Sequence, residues 1–290
     1  MLSALLRSMR PRQWVKNTFI FAPLVFDQKL TQRDALLATL AGFVLLCMAS
    51  SAVYLVNDLA DLEADRRHPQ KRFRPIAAGT LPRRVAQVSA TILFLVTLGL
   101  SLLLSLPFAL IVAIYILTNL LYSYRLKHVP IIDVMVLASG YVLRVAGGVV
   151  LVSVERFSPW LYICTTLLAL FIGFGKRRAE MVLMADSANE HRRVLDGYTL
   201  PFLDQLIVIV SACAIMAYSL YTFSAENLPD NHFMMLTIPF VMYGIFRYLQ
   251  LIHVQSAGGA PDELVMSDWP LLATIVLWGF SAAAVLYFGT

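Results

Sequence analysis

The sequence predicts an all-α, polytopic membrane protein, and three observations carry that prediction. Hydrophobic residues make up 59% of the 290-residue chain and charged ones 14%, whereas soluble globular domains carry roughly 25% charged residues. Apolar runs close to the roughly 20 residues that a spanning helix needs recur along the whole chain. Lysine and arginine crowd into alternate connections between those runs.

Taken in order, the apolar runs cover residues 17–30, 35–56, 85–106, 108–124, 131–154, 160–175, 200–224, 233–252 and 270–288, which makes about nine spans. The first is short, and Pro23 interrupts it. Ahead of it, MLSALLRSMRPRQWVKN has too brief an apolar stretch for a cleavable signal peptide. It reads as an interfacial segment with Trp14 at headgroup level.

With the N-terminus inside, the inner segments hold Arg7, Arg10, Arg12 and Lys16, then Arg66, Arg67, Lys71, Arg72, Arg74, Arg83 and Arg84. Arg125, Lys127, Lys176, Arg177, Arg178, Arg192 and Arg193 follow, against Lys29, Arg33 and Arg156 outside. Eighteen against three orients the chain,. It predicts a multi-pass protein of the inner (plasma) membrane with a cytoplasmic N-terminus. The net charge of +5 is then mostly a topological signal and contact with lipid headgroups, and nucleic acid is not an expected partner. Cys47, Cys164 and Cys213 stand alone inside spans and read as packing residues. His68, His128, His191, His232 and His253 are too scattered for a zinc site.

Two inner loops are longer than the rest, one after the second span and one at 175–199 after the sixth. Four helices separate them, which suggests two four-helix halves, each with an extended cytoplasmic loop, plus a final helix. No change of composition marks a domain boundary, so 1–290 is expected to be one domain. Gly258-Gly259-Ala260-Pro261 reads as a flexible inner loop.

The first long loop begins NDLADLEADRRHPQKRFRP at 57–75. If the preceding helix continues, Asp58, Asp61 and Asp65 fall at i, i+3 and i+7 on one helix face. Like charges so placed repel by about 0.2–0.5 kcal/mol per neighbouring pair, and a divalent cation reverses the sign. Mg²⁺ suits the pattern, because one or two carboxylates hold it while substrate phosphates and water complete its shell. Lys71, Arg72 and Arg74 then face the phosphate oxygens that the metal leaves free. Asn57 serves equally well as a helix cap or as a hydrogen-bonding group for a sugar hydroxyl or a metal-bound water.

The second long loop reads GKRRAEMVLMADSANEHRRVLDGY. A continued helix places Lys176 and Glu180 at i, i+4 with Arg177 beside them, as part of a site or as a surface ion pair of about 0.3–0.5 kcal/mol. Lys16 and Asn17, at the inner start of the first span, suit a lipid phosphate, and snorkelling explains them as well. Arg144 lies inside a span, where an arginine costs about 2.5–3.5 kcal/mol, so it is expected to face the bundle interior. Asp133 shares its helix face about 16 Å away, too far for a direct pair. Asp204 stays outside the expected site.

NDxxDxxxD at the end of a span, followed by KRxRP, resembles the first aspartate-rich motif of the UbiA superfamily of intramembrane prenyltransferases. RPRQWVKN at 10–17, NDLADLEADRRHPQKRFRPIAAG at 57–79, YSYRLKHVPIID at 122–133 and GKRRAE at 175–180 resemble its decaprenyl-phosphate phosphoribosyltransferase branch. The likeness covers most of the chain and is weakest after Tyr198. It implies a UbiA-like bundle with a polar cavity on the cytoplasmic side. It also implies Mg²⁺-dependent transfer of 5-phosphoribose from phosphoribosyl pyrophosphate (PRPP) to a polyprenyl phosphate, with release of pyrophosphate. The product in that branch is a precursor of lipid-linked arabinose for cell-envelope polysaccharide. Within the motifs, the resemblance adds Tyr122 and Lys127 to the substrate-binding set of Lys16, Asn17, Lys71, Arg72, Arg74, Arg144, Lys176, Arg177 and Glu180. Asn57, Asp58 and Asp61 are the catalytic residues it implies, with Asp58, Asp61 and Asp65 on the metal.

One departure is informative. The wider superfamily carries a second aspartate-rich motif where this chain has KRRAE, with Asp186 and Glu190 forming only a loose DxxxE. Two phosphorylated substrates call for such basic residues, and an aromatic acceptor does not. A prenyl-diphosphate-dependent transferase acting on an aromatic or quinone precursor is the alternative, and a transporter of a phosphorylated solute is a third. Transporters, however, place coupling charges near the midplane, and here nearly all charge lies at one interface. Oligomeric state is left open by the sequence.

Overall fold

The computed structural model describes residues 1–153, 158–185, 193–226, 228–229, 231–254 and 261–289. Arg156, Asp186, Glu190, His191, Arg192 and the 258–260 stretch lie outside them. The chain divides into two compact units, Met1–Leu24 with Lys29–Glu155, and Val25–Gln28 with Arg156–Thr290.

The first unit opens with α1 (Leu2–Met9), a 3-10 helix at Pro11–Phe21 and, at the junction, the short α2 (Ala22–Phe26). Then come α3 (Arg33–Ala60), α4 (Leu62–Arg67), α5 (Arg83–Leu104), α6 (Leu106–Tyr124) and α7 (Ile132–Val152). The second unit holds α8 (Pro159–Ala185), α9 (Leu200–Ser224), α10 (Ile238–His253), α11 (Pro261–Ser267) and α12 (Trp269–Phe288).

Eight described helices are long and apolar enough to cross a membrane. Four of them, α3, α5, α6 and α7, belong to the first unit and the other four, α8, α9, α10 and α12, to the second. The first apolar run, expected among about nine spans, is not one of them. It winds as a tight 3-10 helix and packs against α3 and α7. Gly148 makes that approach possible, because a Cβ there would collide with the Ile20 carbonyl and reach Pro23 at 3.0 Å. Small residues allow such close backbone contact between membrane helices.

Inside the first unit, Ile20, Leu46, Ala49, Phe108, Val112 and Tyr115 build the main core between α3 and α6. A second cluster of Leu55, Leu62, Ile76, Leu81, Ala86 and Ala90 lies under the polar loop. It pins α4 and the chain after it onto α5, and so fixes where Asp65 and Arg74 stand. Gly79, at φ 77, makes the turn that returns the chain to α5, a conformation that glycine adopts without strain. On α5 and α6, Leu95, Leu102, Leu103 and Leu110 are exposed, the apolar surface a lipid-facing helix requires.

In the second unit, Tyr218, Tyr221, Met234, Ala282 and Leu286 form the core. Thr199 caps α9 by accepting from the Phe202 amide at 3.3 Å, and Asp268 caps α12 by accepting from the Leu271 amide at 2.9 Å.

Candidate active site

The first unit gathers its charge where α3 ends. The helix does not run unbroken through the aspartates: α3 stops at Ala60, Asp61 takes φ −91 and ψ 5, and α4 restarts at Leu62. That interruption corrects the expectation of a single acidic face. Asp58 and Asp65 are almost fully buried and converge on Arg74, whose Nη1 donates to Asp58 Oδ1 at 3.2 Å and to Asp65 Oδ2 at 2.7 Å. Asp61 turns elsewhere and its Oδ1 pairs with Lys127 Nζ.

A further partner was missed in the sequence. Arg10 Nη2 donates to Asp58 Oδ1 at 2.5 Å, while its guanidinium lies over the Tyr54 ring, 4.8 Å from the centroid. Residue 10 has a left-handed backbone, φ 53, between α1 and the 3-10 helix, which aims the side chain back at α3. Its place in RPRQWVKN was the available signal, but nothing local ties residue 10 to residue 58.

Each aspartate therefore gives one oxygen to basic side chains. Asp58 Oδ2, Asp61 Oδ2 and Asp65 Oδ1 accept no hydrogen bond among the described residues. The donor set fits a hard divalent cation in chemistry, since all free atoms are carboxylate oxygens and two of the groups share one point of approach. Asp58 and Asp65 are the pair that fits. No group of three histidine, cysteine or acidic side chains gathers to hold a metal among the described residues, and Asp61 is paired with Lys127.

The other expected residues divide. Asn57 is half-buried, its amide makes no hydrogen bond among the described residues, and its carbonyl accepts from the Asp61 amide. Lys71 and Arg72 form a short 3-10 turn, with Arg72 lying over Phe73. Lys16 and Tyr122 are half-buried.

Asn17 and Arg144 meet in a separate buried node. Arg144 Nε donates to Asn17 Oδ1 at 2.7 Å, Nη1 to the Gly140 carbonyl at 2.6 Å and Nη2 to Tyr115 Oη at 3.0 Å. Asn17 in turn donates to Cys47 Sγ and Ser50 Oγ, both at 3.3 Å. Arg144 faces the interior, as expected. Trp14, expected among headgroups, donates to Ser51 Oγ at 3.1 Å.

In the second unit, the end of α8 carries the other basic group. Glu180 takes Arg177 at 2.5 Å, an i, i+3 pair, and Arg177 is wholly buried. Arg178 donates to Asp204 Oδ1 at 2.6 Å and to the Ile252 carbonyl at 2.9 Å. Asp204 thus anchors Arg178 at the end of α8.

Comparison with known proteins agrees with this architecture. The model of the UbiA prenyltransferase family matches residues 18–260. A Corynebacterium glutamicum protein named decaprenyl-phosphate phosphoribosyltransferase is 35% identical over 98% of this chain and 86% of its own length. The protein of the same name from Mycolicibacterium smegmatis is 32% identical over 99% of this chain and 94% of its own. Among solved structures, a UbiA homolog from Archaeoglobus fulgidus bound to GPP and Mg²⁺ superimposes with a TM-score of 0.74 at 18% identity, covering 98% of this chain and 99% of that one. At that identity the likeness speaks for the fold. The family match, together with the eight described helices long and apolar enough to cross a bilayer, makes this a multi-pass membrane protein.

Proposed function

We propose that this chain, which belongs to the UbiA prenyltransferase family, transfers 5-phosphoribose from PRPP to a polyprenyl phosphate of decaprenyl type and releases pyrophosphate. One observation carries the reading: three aspartates, each keeping a free oxygen, interleave with Arg10, Arg74 and Lys127 at one helix end. A metal-bound diphosphate needs that mixture of hard anionic ligands and forked cations. The relatives' names supply the identity of the two substrates.

Asp58 and Asp65 would hold Mg²⁺, with Asp61 beside them. Bound there, the ion supplies Lewis-acid stabilisation of the charge that grows on the departing diphosphate. Arg74 and Lys127 grip its remaining oxygens. Asn57, with its amide free, orients a ribose hydroxyl while the anomeric carbon passes through an oxocarbenium-like state. The acceptor is a phosphate monoester with a second pKa of about 6, so it attacks already ionised and requires no general base. Lys176, Arg177 and Glu180 stand in α8 where the wider family carries aspartates, and basic residues there match two phosphorylated substrates. The residues 1–290 act as one catalytic domain in the plasma membrane with the aspartates on the cytoplasmic side, and the product feeds lipid-linked pentose for the cell envelope.

The test is transfer of label from PRPP to polyprenyl phosphate by purified protein in Mg²⁺. Label that enters lipid only when prenyl diphosphate replaces PRPP would overturn the assignment. Solute crossing liposomes without product would point to transport.

A further inference from the structure

The formal charges of the aspartate cluster cancel, with Asp58, Asp61 and Asp65 against Arg10, Arg74 and Lys127. Arg74 differs from the other two cations. Its Nη1 touches two carboxylates at once and so stands where a cation shared by Asp58 and Asp65 would have to stand. Arg10 reaches Asp58 alone, and stacking on Tyr54 holds it. Arg74 comes instead from the loop after α4, with a side chain 26% exposed.

We infer that Arg74 is a specificity-determining residue that makes the two carboxylates accept a divalent cation together with a diphosphate and disfavour the cation alone. This rests on the function proposed above. A bare divalent cation has to expel the guanidinium from the shared position, which adds two positive charges to a neutral cluster and strips Arg74 of both its carboxylates. A diphosphate that arrives with the cation reverses both effects. It brings the balancing negative charge, and its oxygens offer the guanidinium a forked replacement for the ones it gives up. Lys127 can make the same exchange from Asp61, while Arg10 stays on Asp58 throughout. Linkage then requires that the diphosphate raise the affinity for the cation by the same factor by which the cation raises affinity for the diphosphate.

The experiment uses full-length protein in detergent with Mn²⁺ as the probe, bound metal read by electron paramagnetic resonance, with and without inorganic pyrophosphate. Arg74→Gln is expected to bind Mn²⁺ alone about tenfold more tightly than the parent, within the usual span of such couplings. Pyrophosphate should then tighten Mn²⁺ less in that variant than in the parent. Arg67→Gln removes an equal charge from the exposed end of α4, and should leave Mn²⁺ binding as it was. The inference is overturned if Arg74→Gln binds Mn²⁺ no more tightly, or if Arg67→Gln matches it, since a general field effect would then suffice. Should Arg74→Gln fail to fold, Lys127→Gln at the half-exposed Asp61 must show a smaller gain in the same direction, and no gain sinks the proposal. Neither sugar nor lipid enters this assay, so its outcome is separate from that of the PRPP transfer experiment.

Discussion

Replacing Asp58 by asparagine keeps the shape of the side chain and removes one charge from a balanced cluster. Asp58 Oδ1 receives Arg10 at 2.5 Å and Arg74 at 3.2 Å, and an amide oxygen can still accept from one of them. Removing one partner of a buried ion pair costs about 3–5 kcal/mol, because the other charge is left uncompensated. Here Arg10 and Arg74 are 27% and 26% exposed, and Arg74 retains Asp65, so the loss should fall near the lower end, about 3 kcal/mol. Turnover should suffer far more. The substitution takes away a candidate metal ligand and with it the stabilisation of the leaving diphosphate, worth a factor of about a hundred or more. Thermal unfolding of the detergent-solubilised variant measures the first effect, and label transfer from PRPP at saturating Mg²⁺ measures the second. Asp61→Asn separates the two: with one partner and a side chain 29% exposed it should cost about 1 kcal/mol or less yet still abolish turnover. A rate for Asp58→Asn within about threefold of the parent, in folded protein, would refute the metal assignment.

Lys176→Ala should raise the apparent KM for PRPP more than that for the lipid acceptor, and steady-state kinetics giving the opposite order would move that residue to the acceptor. Gly148→Val should destabilise the first unit by about 1–3 kcal/mol through overpacking, since Pro23 and the Ile20 carbonyl already occupy the space a side chain needs; an unchanged unfolding temperature would contradict it. Arg144→Met should leave Asn17 Oδ1 and Tyr115 Oη without their buried donor at about 1–3 kcal/mol each, partly offset by relief of burying a charge, and unfolding measurements check the net loss. The Arg247 guanidinium, 2.7 Å from Asp268, holds the Asp268 carboxyl below the ordinary carboxylate range. A depressed acid contributes stability above its unfolded pKa of about 3.9 and loses it as pH falls through the folded value. Arg247→Gln should therefore flatten the acid limb of stability below about pH 4, as unfolding across pH 2–6 would report.

Much of this was legible without coordinates. Composition and run length identify the spanning helices, because a segment in lipid must satisfy its own backbone and expose apolar side chains whatever its neighbours do. The two long polar loops fall one in each unit, but the halves differ from those read in the chain: the first apolar run is not a spanning helix, α7 joins α3, α5 and α6, and α12 joins α8, α9 and α10. The first run was misjudged because hydropathy does not register a glycine on a distant helix. Gly148 admits the Ile20 backbone, and the segment packs as a 3-10 helix beside α7.

By itself the sequence determined what kinds of groups the site contains: carboxylates and cations in adjacent positions along one loop, which local spacing records directly. Only the tertiary structure decided how they pair. Charge interactions act through space and fall off over a few ångströms, so Arg10 on Asp58, Lys127 on Asp61 and Arg74 across Asp58 and Asp65 depend on the break at Asp61 and on the apolar cluster that folds the loop back over α5. The same holds for Arg144, whose partner Asn17 lies 127 residues earlier and is brought to it by helix packing.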